Sequence, residues 1–334
     1  MKRLNIRPAS RRASCTASCI ATVLGLAALA AATDAAAGDY PDEPIRMVVP
    51  YAPAGGTDEL GRLLAQKLSA AVGQSVIVEN RAGADGMIGT AYVAQAKPNG
   101  YTVAFVSSGH AVNPTLYKNI TFDTVKDLRC VTQTAVQQIV LVVTPSLPVH
   151  NVKALIDYGK THPNSLYFGT SSKASQLPME LFARMTGLKL TAVPYKGSGP
   201  ALTDMIAGRV QMGFIAAASA IPYIKSGHLR ALAIGDDHRS PSLPDLPTVA
   251  EAGVPGFQAN LWSGMFVPNG TPAPVINRLN EVLVKAVKDP AFAKTMQDHG
   301  FEAAGTTPAQ CDAFIVKEIA KWAAVAKDAG ITAE

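Results

Sequence analysis

The chain lacks the residue patterns by which most catalytic and metal-binding proteins announce themselves. It has no Gly-x-Ser-x-Gly elbow, no Walker loop, no His-Glu-x-x-His and no Cys-x-x-Cys. Its histidines (His110, His150, His162, His228, His238, His299) have no ligand-like spacing. Nothing therefore nominates a nucleophile or a metal, and no enzyme activity and no cofactor are expected. Gly83, Gly86 and Gly89 imitate a dinucleotide loop, but they follow the second strand and the leading Gly-x-Gly is missing. Helix–sheet packing and a tight turn account for them. Cysteine is scarce: beyond Cys15 and Cys19 only Cys130 and Cys311 remain, too few for a disulfide scaffold or a zinc site. An oxidising compartment would allow one bridge between them. No apolar run reaches the roughly 20 residues that span a bilayer as a permanent helix.

What is present begins with the N-terminus. Lys2, Arg3, Arg7, Arg11 and Arg12 form a basic stretch, Ile20 to Ala32 is apolar and small with only Thr22 interrupting, and Ala35-Ala36-Ala37 offers a small-residue cleavage site. This order predicts a signal peptide over residues 1–37, a mature start near Gly38 and a periplasmic protein. A buried N-terminal helix would need polar residues at helical spacing through that apolar run. Ser10-Arg11-Arg12 hints at twin-arginine export, yet Ser14 and Cys15 stand where apolar residues would follow, so the general secretory route is expected. Cys15 and Cys19 precede the apolar run, which argues against a lipid anchor.

Removing the signal changes the charge. Its five basic residues and Asp34 leave 25 Lys and Arg against 24 Asp and Glu, a formal charge of +1 in place of +5. No nucleic-acid or anionic-membrane partner is implied. About 300 residues bury a large core and suggest two domains.

Apolar β-rich runs alternate with helical patterns along the mature chain. Ile45 to Val49, Thr57 to Val72, Val76 to Glu79, Gly86 to Ala96 and Thr102 to Val106 read as a βαβαβ unit. A second series runs from Val140 to Ile234, the stretch from Ser240 to Pro255 reads as a long proline-rich loop, and helices return after Ala273. The expected fold is α/β, with two lobes joined by crossing segments near residues 142 and 264. Lobe 1 comprises residues 38–141 and 264–334, and lobe 2 comprises 142–263. In open α/β sheets ligands bind at the carboxyl ends of parallel strands, so Pro50 to Thr57, which includes Tyr51, is the first loop of interest.

A loop of small residues opening onto a helix recurs three times. Gly55-Gly56-Thr57 precedes the first helix, Gly169 to Ser175 the helix carrying Glu180, and Lys196-Gly197-Ser198-Gly199 leads into Pro200. Each offers backbone N–H groups at a positive helix end, suited to a small anion. For each loop alone, ordinary capping by Thr57, Ser175 or Ser198 is the competing explanation.

Seven segments then carry a resemblance. "MVVPYAPAGGTDELGRLLAQKL", "VIVENRAGADGMIGTAYVAQAKPNGYTVAF", "NPTLYKNITFDTVKDL", "VPYKGSGPALTDMIAGRVQMGF", "HLRALAI", "LPDLPTVAEAGVPGF" and "WSGMFVPNGTPAPVINRLN" resemble, in matching order from about Pro44 to the C-terminus, the Bug family. These are the TctC-like extracytoplasmic receptors of tripartite tricarboxylate transport systems. The resemblance implies a type II periplasmic-binding-protein fold and a carboxylate held between two lobes, partly through ordered water. It places Pro53, Gly55, Gly56, Thr57 and Asp58 on the family's first ligand loop, with Ala54 where glycine is usual. Thr170, Ser171, Ser172 and Ser175 fall on the second loop, and Ser107, Ser108 and Asn113 at a neighbouring strand end. Lys196, Gly197 and Ser198 complete the expected contacts.

Several residues are read against that pattern. Asp58 would repel an anion and is expected to shape its loop; Trp262 is expected to pack, and Lys173 to be solvated. Ile215 stands where many relatives have an aspartate, followed by Ala216 to Ala218, so the pocket is expected to be apolar there and the ligand to lack an amino group. The resulting expectation is a monomeric receptor for a small carboxylate. Its partners would be the membrane components of a tripartite transporter, with a sensor kinase as the alternative. Two rivals fit less well: an exported α/β hydrolase lacks its nucleophile elbow, and a LysR-type effector domain would need a helix-turn-helix where the signal lies.

Overall fold

In the computed structural model the described residues are 40–170, 173–195 and 198–333. The expected signal peptide and Ser171, Ser172, Lys196 and Gly197 lie outside the described residues, as do the side chains of Lys173 and Ser198.

Strand β1 (Ile45–Val49) is flanked in parallel by β2 (Val76–Asn80) and β3 (Thr102–Ser107). Ile45, Met47, Val48 and Val49 are fully buried, as a parallel strand covered on both faces requires. Between β1 and β2 runs α1 (Gly56–Val72), which buries Leu60, Leu64 and Leu68 at helical spacing. It ends where Gly73 turns left-handed at φ 73° and its N–H meets the Ser69 carbonyl. Helix α2 (Met87–Ala94) returns the chain to β3, and α3 (Gly109–Leu116) follows it.

The long strand β4 (Leu128–Val143) changes neighbours along its length. Its residues from Leu128 to Gln138 pair antiparallel with β9 (Asn260–Pro268), which in turn pairs with β3. From Ile139 onward it pairs with β7 (Met212–Ala216) and β8 (Arg230–Ile234). Beside β7 lie β5 (Leu166–Thr170) and β6 (Leu190–Pro194), again parallel. Helices α4 (Val152–Thr161), α5 (Lys173–Thr186), α6 (Ser198–Ile206) and α7 (Ala217–Lys225) connect this half. The switch of partners falls between Gln138 and Ile139, a few residues before the expected crossing at 142.

Helices α8 (Ala273–Val287), α9 (Pro290–Asp298) and α10 (Pro308–Asp328) close the chain, and the short β10 (Glu302–Ala303) adds to β4. Helix α10 begins with a reciprocal cap between Thr307 and Gln310. It packs on β4, α3 and α5, so it touches elements of both halves of the sheet. A disulfide joins Cys130 on β4 to Cys311 on α10, with Cα atoms 5.8 Å apart, and Arg129 pairs with Asp312 beside it.

The polar part of β4 and helix α3 escaped the periodicity, as did the two-residue β10. Only Val140 to Thr144 of β4 looked like strand, because Gln133, Gln137 and Gln138 interrupt the apolar pattern; in the sheet Gln133 and Gln138 are nonetheless buried. Helix α3 carries Pro114 and a β-branched Val112, poor helix signals that burial of Ala111, Val112 and Leu116 overrides. No described helix is long and apolar enough to cross a membrane.

Candidate functional site

The first loop is shaped by a buried carboxylate. Asp58, in the first turn of α1 and 2% exposed, accepts the Ala54 N–H and the Arg62 guanidinium on Oδ2, each at 3.0 Å, and the Asn80 amide on Oδ1 at 2.8 Å. Burial alone would raise its pKa, but these donors outweigh it and hold the group below the ordinary range. Asp58 thus shapes the loop, as its charge predicts. The bonds hold Ala54 at φ 63°, in the left-handed region, which is the physical reason a glycine suits this position. Gly55 is the N-cap of α1 and caps with no side chain, while Thr57 sits inside the first turn. Capping by Thr57 is therefore excluded, and the first-turn N–H groups point out of a positive helix end.

Tyr51 lies across the floor. Its hydroxyl accepts the Ser107 N–H at 3.2 Å, and its carbonyl accepts from Asn80. Burial is the main reason its pKa rises, with the negative charge of Asp85 acting the same way. Gly86, at φ 89°, passes so close that a Cβ there would stand 3.0 Å from the Tyr51 ring. The turn before it carries two consecutive non-glycine residues in the left-handed region, Ala84 at φ 47° and Asp85 at φ 49°. Gly89 lets α2 close on Pro50, where a Cβ would come within 2.8 Å.

These pieces enclose a cavity of about 300 Å³. Tyr51, Asp85, Ser107, Ser108, Gly109 and Asn113 line it from the first half of the sheet, with Ser175, Pro178, Phe214 and Ala216 from the second, Asn260 from β9 and Trp322 from α10. A compartment of about 180 Å³ adjoins it, sharing Ser107, Ser108 and Leu261, and is lined further by Gly56, Thr57, Gln137, Ser263 and Phe301. Elements distant in sequence, from residue 51 to residue 322, therefore meet around one space. An open depression of about 620 Å³ beside Arg230 and Leu246 is larger, but none of the expected site residues line it.

The expected residues divide accordingly. Tyr51, Gly56, Thr57, Ser107, Ser108, Asn113 and Ser175 line the two compartments. Pro53, Ala54 and Gly55 build the loop without lining them, and Thr170 stands behind the wall, its hydroxyl 2.9 Å from that of Ser175. Ile215 is a correction. Side chains alternate across a strand, so its neighbours Phe214 and Ala216 face the cavity while Ile215 packs with Val140, Met205 and Ile234 on the opposite face. The expectation drawn from it, that the ligand lacks an amino group, loses its ground, because Ile215 faces away and Asp85 lines the cavity. Asp204, another acid in the second half, is engaged by Tyr195 and Arg209.

Sequence reasoning missed Asp85, Asn260 and Trp322. The first had a signal available, an aspartate inside the Gly83 to Gly86 turn; the other two enter only because β9 and α10 reach the cleft. Trp262 packs edge-on to Phe314 with ring centroids 5.5 Å apart, as expected, and it also lines the smaller compartment. Among the described residues, Asp236, Asp237 and His238 are the group whose donors converge as metal ligands would. His238 is already held between Asp237 and Glu302, whose hydrogen bonds raise its pKa to about 9.

With this geometry in view, residues 60–331 match the tripartite tricarboxylate transporter family receptors, TctC. The chain belongs to this family. It is 38% identical over 303 residues to Protein BugT of Bordetella pertussis, covering 90% of this chain and 93% of that protein. The solved structure of R. palustris Rpa4515 with adipate is 36% identical, with a TM-score of 0.75 over 89% of this chain and all of the other. MatC from Rhodopseudomonas palustris with bound malate is 28% identical, with a TM-score of 0.69 over 86% of this chain and 99% of the other. The fold is accordingly that of the TctC-type periplasmic binding proteins. The family consists of solute-binding receptors, and the expectation that this chain is not an enzyme agrees with membership in it.

Proposed function

We propose that this chain is an exported, monomeric receptor that captures a small organic carboxylate in the periplasm and passes it to the membrane components of a tripartite transporter. The observation that carries the reading is the joint placement of the α1 N-terminus and the Ser107, Ser108 and Ser175 hydroxyls around two joined compartments. Helix N-termini favour anions through both free N–H groups and the helix dipole, and serine hydroxyls add donors without charge. Relatives solved with adipate and malate support the carboxylate class. Phe214, Ala216 and Pro178 supply apolar wall for a methylene chain.

Ligand capture closes two lobes, 38–141 with 264–334 and 142–263, about β4 and β9. Export through the 1–37 signal accords with a disulfide between the two remaining cysteines, which an oxidising compartment preserves. The experiment is calorimetric titration of the purified protein with succinate, glutarate, adipate and malate, repeated on Gly56→Val. A Cβ added at Gly56 would stand 3.4 Å from Phe301, so a branched side chain crowds the small compartment and should weaken binding at least ten-fold. Absence of heat with every carboxylate, or full affinity in Gly56→Val, overturns the proposal.

A further inference from the structure

The two compartments differ in the hydrogen-bonding groups they present. The smaller one holds Gly56 and Thr57 at the donor-rich start of α1. In the larger one three side chains offer oxygen. Asn113 turns its amide nitrogen onto the Asp85 carbonyl at 3.0 Å, and Asn260 turns its own onto the buried Asp236 carboxylate at 2.9 Å. Reversing either amide would set oxygen against oxygen, so chemistry fixes both orientations. Each amide nitrogen is thereby committed, and both side chains line the cavity. The third is Asp85, a carboxylate on the same wall.

Asp85 is held there at a cost. It and Ala84 occupy the left-handed region in succession, a conformation that costs residues other than glycine. Backbone strain of this kind collects at ligand sites and persists where surrounding contacts over-determine it. The contacts are present: Asn113 clamps the Asp85 carbonyl, and the Tyr117 hydroxyl donates to its carboxylate. A turn relaxed by glycine would be easier to form and would carry no charge.

We infer that Asp85, with the side-chain oxygens of Asn113 and Asn260, selects carboxylates that carry a hydrogen-bond donor, a hydroxyl or an ammonium group, away from the carboxylate bound at the α1 loop. The inference rests on the proposed carboxylate-receptor function and specifies its ligand class. A plain second carboxylate facing Asp85 is disfavoured, because two like charges at close range repel. Of the two donors the ammonium gains more, since a charge-assisted hydrogen bond is about twice as strong as a neutral one.

The test is calorimetry on matched series: butyrate, γ-hydroxybutyrate and γ-aminobutyrate; succinate, malate and aspartate; glutarate, hydroxyglutarate and glutamate. In at least one series the donor-bearing member should bind roughly ten-fold tighter than its unsubstituted parent or better, the range expected of a hydrogen bond to a charged group. Asp85→Asn should abolish an ammonium preference while keeping a hydroxyl preference, and Asp85→Ala should weaken both; each variant's melting curve and its retained binding of butyrate, which sets no second carboxylate against Asp85, check that the site is intact. If the unsubstituted acids bind as tightly as their partners throughout, or if Asp85→Ala leaves the preference unchanged, the inference is overturned and the receptor function stands. If no member of any series binds, the receptor function itself fails.

Discussion

Replacing Asp58 by alanine sets two effects of this side chain against each other. Asp58 is a negative charge at the end of α1 where a carboxylate is proposed to bind, so its removal should by charge alone favour the ligand. It is also the acceptor that fixes the loop. Truncation deletes hydrogen bonds to the Ala54 N–H, Arg62 and Asn80, of which the Arg62 pair is discounted because half of that side chain meets solvent. The two remaining bonds to a buried charge, at about 1.5 to 3 kcal/mol each and not fully additive, give a loss of about 2 to 4 kcal/mol. Once released, Ala54 leaves φ 63°, recovering roughly 1 kcal/mol, and the loop abandons its binding shape. Loop shape should dominate, since the Arg62 guanidinium already offsets the charge at 3.0 Å. Asp58→Ala is expected to unfold at lower urea and to bind carboxylate about ten-fold more weakly, one factor of ten being about 1.4 kcal/mol. The sign of the pH dependence follows from the lowered pKa: Asp58 contributes stability above the unfolded carboxylate range and loses it as pH falls through the folded value. The stability gap between wild type and Asp58→Asn should therefore narrow in acid. Tighter binding by Asp58→Ala, with unchanged urea midpoint, would refute the reasoning.

Two further expectations concern stability. His110 is buried between Phe122 and Phe266, its Nε2 has no partner among the described residues, and burial lowers its pKa from 6.5 to about 4. Folding keeps it neutral, so its contribution is intact above 6.5 and falls away between 6.5 and about 4, by about 3 kcal/mol in all; urea midpoints for His110→Phe should lose that acid sensitivity, and equal pH profiles would contradict it. The Cys130–Cys311 bridge spans 181 residues of chain, so the double Cys→Ser variant should lose about 2 to 5 kcal/mol in urea unfolding, and reductant should reproduce the effect in the wild type. Insensitivity to reductant would show that the bridge adds no stability.

Hydropathy order and local periodicity were enough to place most elements, because α1, β1 to β3 and the helices after Ala273 bury one face or a continuous run, and burial writes itself as spacing. The first-loop glycines and the Asp58 reading were legible for the same reason: a helix N-terminus and its acid are contacts within a few residues. Tertiary structure decided what depends on partners far along the chain. The polar half of β4 is a strand only because β9 covers it, and α3 is a helix in spite of Pro114 because its apolar face is buried. Which side of β7 faces the cleft was set by sheet register, so Ile215 turned away where Phe214 and Ala216 turned in. Asp85, Asn260 and Trp322 stand far apart in sequence, and only the folding of β9 and α10 across both halves of the sheet brings their side chains to one cavity.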